Sequence, residues 1–460
     1  MIIFPYLTEE LKQVCLTIAK EVKINGGRAL LVGGGVRDAL LGLNPKDIDI
    51  EVFGILPEKL ENILKGHFPI IKIGKAFGVL KLKGIEVDVS IPRKESKEGI
   101  GHKGFHIEGD PYLSFEEAAS RRDFTINAIS WDPLTQELID PFKGQDDLAK
   151  GILRHVSNKF SEDPLRVLRA MQILARFNLK VDTQTLELCK TIEPENLPKE
   201  RIFEEWKKLI IKGKTPSIGL KFLKDCGWIR YYPELEALIN CEQDPQWHPE
   251  GDVWLHTLHC MDEFARERIN DEWEDLIVGL GVLCHDLGKP VTTIRDDEGR
   301  IRSPGHDIAG VPIADKFLRR MTDAKALIEA VLLLVETHMR PVELYKTQAG
   351  SGAIRRLANK VGRIDRLIRV VSADMGGSPP KDKSEFLIGL KWFEDQGELL
   401  KVVDQAPKPL ILGRHLIELG LVPGKEFRKI LNDCFEAQLD GQFDTLEGGL
   451  KYLIHYLQKR

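Results

Sequence analysis

The chain has 460 residues, a formal net charge of −5 and 30% charged residues. This length predicts two to four compact units, since a single core stops growing near roughly 250 to 300 residues. No apolar run approaches the roughly 20 residues that cross a bilayer, and the N-terminus lacks a secretory signal, so we expect no membrane partner and a cytoplasmic location. The net charge excludes a bulk polycation but allows a local basic stripe. Seven scattered cysteines without a C-x-x-C pair predict reduced core residues.

The first informative segment runs from Leu31 to Gly54 and reads LVGGGVRDALLGLNPKDIDIEVFG. Periodicity predicts a strand over residues 29–32 and a short helix over residues 36–41, with a glycine turn between them. Glycines let a phosphate approach the backbone, and the free N–H groups that begin a helix point towards an anion. The turn therefore predicts a phosphate site.

Acidic residues follow this turn. Asp47 and Asp49 lie two residues apart in an apolar, β-branched run, so both carboxylates should leave the strand on the same face. A further strand is predicted over residues 85–90, where Glu86 and Asp88 share one face and either could supply a third carboxylate. Together these residues predict a two-metal platform beside the phosphate site, and the alternative is an exposed strand face.

Basic residues gather in the next segment, which contains several glycines. They are Lys94, Lys97, His102, Lys103 and His106. This composition predicts a mobile basic loop near the acidic site.

A doubled arginine follows in the segment EEAASRRDFTIN, from Glu116 to Asn127. Guanidinium forks bind phosphate oxygens bidentately, so Arg121 and Arg122 beside a metal site would neutralise a triphosphate. Asp123 follows the pair, and the alternative is a salt bridge at a helix end.

A helix is predicted from Ser161, in SEDPLRVLRAMQILARF, with Pro164 in its first turn. Its apolar side chains repeat with helical period, and they are Val167, Ala170, Met171, Leu174 and Phe177. Glu162, Asp163 and Arg166 then lie together on the other side. They offer the acceptors and donors that the Watson–Crick edge of a base requires, and the alternative is an intrahelical ion pair.

In this order, the motifs resemble those of the class II tRNA nucleotidyltransferase and bacterial poly(A) polymerase family. The resemblance rests on Gly33-Gly34-x-Val36-Arg37-Asp38 with Asp47-x-Asp49, on RRDFTINA over 121–128, on Glu162-Asp163-x-x-Arg166, on a hinge motif over 140–148 and on a bracing helix over 200–206. It covers roughly the first 215 residues, and it favours Asp88 over Glu86 because Arg93 and Glu95 behind it keep the family's register. It implies an α+β, polymerase-β-like nucleotidyltransferase head with a small mixed sheet, followed by an all-α neck.

The same resemblance implies a reaction. Asp47 and Asp49 would hold two Mg²⁺ ions, with Asp88 helping the ion that lowers the pKa of an RNA 3′-hydroxyl, and that oxygen attacks the α-phosphate in line. Asp163 and Arg166 would accept cytosine and adenine in place of a nucleic-acid template, so the implied partners are the tRNA 3′ end, CTP and ATP. The implied nucleotide-binding residues are Gly33, Gly34, Arg37, Arg121, Arg122, Asp123, Asn127, Glu162, Asp163, Arg166 and Arg169.

The later part of the chain contains an ordered set of histidine and aspartate residues. His256, His285-Asp286, His306, His338 and Asp374 follow the order H, HD, H, H, D, which resembles the all-helical HD phosphohydrolase superfamily. The resemblance implies that these residues hold one or two divalent ions, such as Mn²⁺, Ni²⁺ or Mg²⁺, around a phosphoester, with His306 and His338 serving the second ion. The alternative is a set of unrelated histidines at helix ends and in cores.

These patterns predict four segments. They are a nucleotidyltransferase head over 1–150, a neck with the base-selecting helix over 151–215, an HD domain over 216–405 and a helical RNA-binding tail over 406–460. A basic edge on the tail suits phosphates, although a solvated helix face explains the same charges, and its residues are Arg414, His415, Lys425, Arg428 and Lys429. The oligomeric state stays open.

Two classes of function remain. The first is a nucleotidyltransferase that builds or repairs the CCA end of tRNA, with an HD domain that hydrolyses phosphates or acts as a scaffold. Within this class, the alternative is a poly(A) polymerase. The second is an HD phosphohydrolase with a non-catalytic RNA-binding head. The intact set Asp47, Asp49 and Asp88 argues against the second, because carboxylates that repel one another are costly to hold together without metals. The sequence does not decide among CCA, CC and A addition.

Overall fold

The computed structural model describes residues 3–73, 79–97, 105–194, 196–378 and 384–459. The chain divides into two compact units, one of Met1–Leu209 with Lys221–Trp228 and the other of Ile210–Leu220 with Ile229–Arg460. Within the described ranges, no helix has the length and hydropathy to cross a membrane.

The first unit contains a mixed sheet. The strands of the first unit are β1 Arg28–Val32, β2 Ile48–Phe53, β3 Ile70–Ile73, β4 Val79–Leu82, β5 Val87–Ser90, β6 Arg93–Lys97, β7 Phe105–Gly109, β8 Ser130–Trp131, β9 Leu138–Ile139, β10 Ile152–Leu153 and β11 Lys180–Val181. Seven of them form one sheet in the order β3-β4-β5-β2-β1-β8-β9. The pair β2–β5 is parallel and its neighbours in the sheet are antiparallel, so the expected mixed-sheet head is confirmed.

Helices complete this unit. They are α1 Glu9–Ile24, α2 Gly34–Leu40, α3 Pro57–Lys65, α4 Phe115–Ser120, α5 Gly144–Lys150, α6 Leu165–Phe177 and α7 Thr183–Lys190, and α8 Lys199–Lys212 and α9 Pro216–Asp225 have residues in both units. The two faces of the sheet are both covered. Ile18 and Val22 of α1 pack with Leu31 and Ile50 on one face, whereas Leu30 and Val32 pack with Ala118 on the other.

The helix predicted to select the base begins later than the sequence predicts. A 3₁₀ helix occupies Asn158–Glu162, Asp163 is extended, and α6 starts at Leu165 with Pro164 as its N-cap. The extended backbone at Asp163 follows from the proline, because the residue before a proline is disfavoured in the α region. Four residues of the predicted apolar stripe are buried, and Phe177 is half-buried beneath the guanidinium groups of Arg37 and Arg176.

The predicted basic loop is partly a hairpin. Lys94 and Lys97 lie in β6 and His106 lies in β7, and the two strands pair antiparallel. The loop prediction is therefore wrong for these three residues, because their backbone groups pair between strands. His102 and Lys103 lie outside the described residues.

The second unit is largely helical. Its helices are α10 Pro233–Glu236, α11 Val253–Arg266, α12 Glu272–Cys284, α13 Lys289–Thr292, α14 His306–Met321, α15 Lys325–Thr337, α16 Arg340–Lys346, α17 Ser351–Val361, α18 Ile364–Gly377, α19 Ser384–Leu400, α20 Gly413–Glu418, α21 Lys425–Leu439 and α22 Leu446–Gln458. A short hairpin joins β12 Ile294–Arg295 to β13 Ile301–Arg302. Buried Ile411, Ile430, Cys434 and Leu453 form a separate core around the last three helices.

The tail's predicted basic edge loses one member. His415 is buried, and its Nδ1 accepts a hydrogen bond from the backbone N–H of Leu412 at 3.0 Å. Its ring thus caps the N-terminus of α20 and does not contribute to the exposed charge of this segment.

Candidate functional site

The acidic residues of the head lie on one face of β2 and β5. Asp49 is exposed between buried Ile48 and Ile50, and Asp47 is exposed just before the strand. Asp49 and Asp88 are register partners in the parallel pair β2–β5. Glu86 precedes β5 and forms an exposed ion pair with Lys81 at 2.8 Å, so strand register places Asp88, and not Glu86, beside Asp49.

The electrostatics of this face suit a cation. Partial removal from water raises the pKa of Asp49, and the negative charges of Asp88, Asp47 and Glu51 add to this rise against the attraction of Arg122. Burial likewise raises the pKa of Asp88, whose Oδ1 is buried without a hydrogen-bond partner among the described residues. A divalent cation would satisfy that oxygen and favour both ionised carboxylates. No set of three ligand atoms within 4.8 Å of one another includes Asp47, Asp49 or Asp88 in the described ranges.

The glycine turn brings a guanidinium group to these carboxylates. Gly33 has a φ of 75°, and a Cβ on it would lie 3.2 Å from Arg122 Nη1 and 3.5 Å from Asp49 Oδ2. A side chain at this position would be strained and would crowd the guanidinium group of Arg122. The turn therefore leaves open the space between the acidic face and the arginines.

Glu51 holds the two arginines, and the sequence analysis did not single it out. Its buried carboxylate accepts a hydrogen bond from Arg121 Nη2 at 2.7 Å and lies 3.4 Å from Arg122 Nη2. Glu51 continues the alternation of Asp47 and Asp49 along the strand, so the same period-2 pattern contains its signal. Arg121 is the C-cap of α4, so the arginine pair does form salt bridges at a helix end, and the strand residue Glu51 is a partner in them.

Asp123 connects the head to α6 through a buried network. Its Oδ2 accepts a hydrogen bond from Arg169 Nε at 2.7 Å, and its Oδ1 accepts one from Asn127 Nδ2 at 2.9 Å. Asn127 Oδ1 in turn accepts one from Arg37 Nη1. Although burial opposes ionisation, Arg169 and Asn127 lower the pKa of Asp123 to about 2. Four of the predicted nucleotide-binding residues therefore form one connected set.

The predicted base-selecting residues are held by separate partners. Asp163 Oδ2 accepts a hydrogen bond from Arg201 Nη2 on α8 at 2.9 Å. Arg166 donates to the backbone oxygens of Lys159 at 2.8 Å and of Arg121 at 2.6 Å. Asp163 precedes α6, so the alternative of an ion pair within that helix does not describe its contact with Arg201. Glu162 is half-buried at the end of the preceding 3₁₀ helix.

The six predicted HD residues converge in the second unit. His256 comes from α11, His285 follows α12, His306 begins α14, His338 follows α15, and Asp374 comes from α18. His256 Nε2 lies 2.9 Å from Asp374 Oδ1, and His285 Nε2 lies 3.2 Å from Asp286 Oδ2. Asp286, His306 and His338 form a second group, with all ligand atoms within 4.8 Å.

Backbone carbonyls orient three of these imidazoles. Nδ1 of His285, His306 and His338 lies 2.7 to 2.9 Å from the carbonyl oxygen of the residue three positions earlier. An Nδ1–H that donates to a carbonyl leaves the lone pair on Nε2, which is the form that binds a metal. Burial lowers the pKa of His338 to about 4, so this ring is neutral at pH 7.

Two residues that the sequence analysis missed complete this centre. The buried carboxylate of Glu250 lies 2.9 Å from Nδ1 of His256 and 2.9 Å from Nδ1 of His248. Lys289 Nζ lies 2.7 Å from Asp286 Oδ2 and donates to Gln243 Oε1 at 2.7 Å. Lys289 follows the HD pair within the sequence CHDLGKP, which was a usable signal, whereas nothing in the sequence marks Glu250.

A cavity of about 780 Å³ opens over the second group of ligands. Asp286, His306, His338 and Asp374 contribute to its lining, and Trp247, Phe386 and Met339 supply apolar surface. A volume of this size accommodates a small organic molecule.

Comparison with known proteins places these sites in a family. A model described as the Poly A polymerase head domain matches residues 29–154, one described as "Probable RNA and SrmB- binding site of polymerase A" matches 178–239, and the HD domain matches 256–372. The Multifunctional CCA protein of Nitrosococcus oceani is 34% identical over 359 residues, which are 75% of this chain and 84% of that protein. The chain belongs to the class II CCA-adding family.

Solved structures of CCA-adding enzymes share its fold. The Bacillus stearothermophilus CCA-adding enzyme in complex with CTP has a TM-score of 0.61 and 22% identity, covering 98% of this chain and 99% of that one. The Thermotoga maritima CCA-adding enzyme complexed with tRNA has a TM-score of 0.58 and 19% identity, covering 99% and 98%. The resemblance to the class II CCA-adding family, and the mixed-sheet head followed by helical regions, are therefore confirmed.

Proposed function

We propose that this chain adds CMP and AMP to the 3′ end of tRNA, and that its HD domain hydrolyses phosphoesters. The carrying observation is the parallel register of Asp49 and Asp88, beside a Glu51-anchored arginine pair, in a member of the class II CCA-adding family. The partners on this proposal are the tRNA 3′ end, CTP and ATP.

Asp47, Asp49 and Asp88 would hold Mg²⁺ in the head, since carboxylate oxygens are the ligands this hard cation prefers. Bound there, Mg²⁺ would lower the pKa of the RNA 3′-hydroxyl and neutralise charge on the triphosphate. Arg121 and Arg122 would bind phosphate oxygens while Glu51 fixes both side chains.

Asp163 and Arg166 would select the incoming base. Arg201 holds one oxygen of Asp163, and two backbone carbonyls hold Arg166, so both polar groups are fixed before a nucleotide arrives. A carboxylate accepts hydrogen bonds from the amino groups of cytosine and adenine, and a guanidinium donates to ring acceptors of both bases. Fixed donors and acceptors would thus discriminate against guanine and uracil.

In the HD domain, His256, His285, Asp286, His306, His338 and Asp374 would hold one or two ions such as Mn²⁺, Ni²⁺ or Mg²⁺. Such ions would activate a water and polarise a phosphoester. Lys289, whose ammonium group lies beside Asp286 at the cavity, would stabilise a phosphate oxygen.

The proposal extends to organisation and location. The division at residues 150, 215 and 405 into head, neck, HD domain and tail stays part of it, and the tail would contact RNA through Arg414, Lys425, Arg428 and Lys429. None of the seven cysteines, all of which lie in the described ranges, forms a disulfide, and this supports a reducing compartment such as the cytoplasm.

One experiment tests the head. The protein is incubated with Mg²⁺ and tRNAs that lack the whole CCA, its last two nucleotides or its final A, with CTP and ATP singly and together, and the products are sequenced. Ordered CCA completion supports the proposal. Untemplated runs of A on any RNA would favour the poly(A) polymerase, and failure to extend any substrate would favour a hydrolase with a non-catalytic head.

A second experiment tests the HD domain. Phosphate ester hydrolysis is followed with 2′,3′-cyclic nucleotides and Mn²⁺ or Ni²⁺, with His285→Ala as the matched variant. Lack of hydrolysis by the wild type, or equal hydrolysis by the variant, would contradict an active HD site.

A further inference from the structure

A thiol lies among the HD ligands although it is no part of the H, HD, H, H, D pattern. The Sγ atom of Cys260 is 3.3 Å from Nε2 of His256 and 3.8 Å from the backbone oxygen of Asp374. Cys260, His256, His285 and Asp374 form a group whose ligand atoms all lie within 4.8 Å of one another.

Local structure directs this thiol into the group. Cys260 follows His256 by four residues on α11, so the two side chains share a helix face one turn apart. Cys260 is fully buried, and Gly377 on α18 makes room for it, because a Cβ on Gly377 would lie 2.3 Å from Sγ. The absence of a side chain at Gly377 thus permits the observed position of the sulfur.

A second observation in the same group points to a cation. Nε2 of His285 is buried and forms no hydrogen bond within the described part of the chain, and Asp286 Oδ2 lies 3.2 Å and Asp374 Oδ1 lies 3.7 Å from it. Nδ1 of this ring faces the carbonyl oxygen of Val282 at 2.7 Å, so Nε2 is the ring atom directed at these carboxylates. A divalent cation between Nε2 and the two carboxylate oxygens would satisfy all three atoms.

We propose that the Cys260 thiolate is a ligand of the ion held by His256, His285 and Asp374, and that it makes this position selective for borderline-soft ions such as Zn²⁺ and Co²⁺ over Mg²⁺ and Mn²⁺. The proposal rests on the metal site proposed above for the HD domain. Thiolate favours zinc-like ions, whereas all-oxygen sites favour Mg²⁺ and Mn²⁺. Metal bonds of about 2.3 Å to sulfur and about 2.1 Å to nitrogen span the observed Sγ–Nε2 distance at an angle of roughly 100°. The thiol proton leaves to solvent as the metal–sulfur bond forms, so no oxidant or reductant is needed.

Absorption spectroscopy of the Co²⁺-loaded protein tests this ligand directly. The full chain is freed of metal with a chelator, loaded with Co²⁺ without oxygen, and compared with Cys260→Ala, Cys284→Ala and His285→Ala. A thiolate bound to Co²⁺ gives a sulfur-to-metal charge-transfer band in the near ultraviolet, which carboxylate ligands in the head do not give. Cys284 is the matched control, because it is equally buried and belongs to none of the ligand groups among the described residues.

We expect the band in wild type and Cys284→Ala and its loss in Cys260→Ala, with Co²⁺ affinity at this position lowered at least about tenfold and Mn²⁺ affinity nearly unchanged. If wild type binds Co²⁺ in a His285-dependent manner without the band, the Cys260 assignment is wrong while the HD metal site stands. If binding does not depend on His285, the HD site and this inference both fail. A band that persists in Cys260→Ala assigns the sulfur to another residue and overturns the inference.

Discussion

Asp49 and Asp88 lie directly opposite each other on neighbouring parallel strands, and the charge of Asp88 is one of those that raise the pKa of Asp49. Two carboxylates in this relationship destabilise each other unless a cation is shared between them. The strand pairing that creates this conflict is thus the strongest structural argument for a catalytic metal in the head.

Replacing either carboxylate should abolish nucleotide addition without weakening the fold. We expect Asp49→Asn and Asp88→Asn to reduce CMP and AMP addition at least about a hundredfold, because each removes a metal ligand. The thermal unfolding midpoint should stay constant or rise, since like-charge repulsion is relieved. Glu86→Gln is the control and should keep its activity; if Glu86→Gln is inactive and Asp88→Asn active, the third carboxylate has been misassigned.

Glu51→Ala should be strongly destabilising. The substitution leaves two guanidinium groups without their buried partner, which costs about 3 kcal/mol in comparable sites. Denaturant unfolding measures the loss, and the KM for CTP and ATP should rise because Arg121 and Arg122 lose their fixed positions. Glu9→Ala removes an exposed ion pair with Lys12 and should change stability by less than about 1 kcal/mol. Equal stability of the two variants would show that Glu51 does not support the arginines.

Arg201→Ala should impair base choice more than turnover. Without Arg201, the carboxylate of Asp163 loses its one charged partner at hydrogen-bond distance among the described residues. We expect incorporation of GMP or UMP relative to CMP to rise about tenfold to a hundredfold, the range expected for losing a fixed polar contact to a base. Sequencing of tRNA products in mixed nucleotides gives this ratio, and Glu187→Ala, at an exposed position of α7, is the control. An unchanged ratio with lower total activity would indicate a purely structural role.

Glu250→Gln should weaken metal binding in the HD domain. Loss of the negative charge beside Nδ1 of His256 lowers the basicity of that ring and should reduce Co²⁺ affinity at the ion position of His256 about tenfold. Equilibrium binding is measured in a protein that also carries Asp47→Asn and Asp49→Asn, so the head sites do not contribute. Glu242→Gln, at an exposed ion pair with Arg295, is the matched control. Identical affinities in both variants would refute a positioning role for Glu250.

Asp123 should make the fold sensitive to acid. Its pKa is about 2 in the folded protein, below the value of an unfolded aspartate, so the stabilisation is complete above about pH 4 and disappears as pH falls towards 2. The loss should be on the order of 2 kcal/mol. Denaturant midpoints across this range should fall less steeply for Asp123→Asn, which lacks the titrating group. Parallel curves for the two proteins would place the acid sensitivity elsewhere.

Local patterns predicted much of the head. Alternation predicted the strand that carries Asp49 between two buried isoleucines, whereas Asp47 lies one residue before that strand. The partners of Arg121, Arg122 and Asp163 were not predictable in this way. Glu51 and Arg201 are distant from them in sequence, and only the pairing of strands and helices brings them together.

In the HD centre, too, some residues were predictable from the sequence pattern and others were brought together only by the fold. The order of histidines and aspartates predicted which residues converge, and the described ligand groups contain all six. Glu250 was missed because a lone glutamate before a helix resembles any solvated loop residue, whereas the fold buries it between two imidazoles. Cys260 was treated as a core thiol, and only its distance from His256 distinguishes it from the other buried cysteines.

His285 and His338 are each the C-cap residue of a helix. Nδ1 of each ring lies within hydrogen-bond distance of a backbone carbonyl oxygen in the last turn of that helix. Adding or removing one residue within α12 or α15 would rotate the histidine at its end by about 100° around the helix axis. Nε2 of that histidine would then point away from the other proposed metal ligands. Insertions and deletions around this centre are therefore expected in the connecting loops and not within α12 or α15.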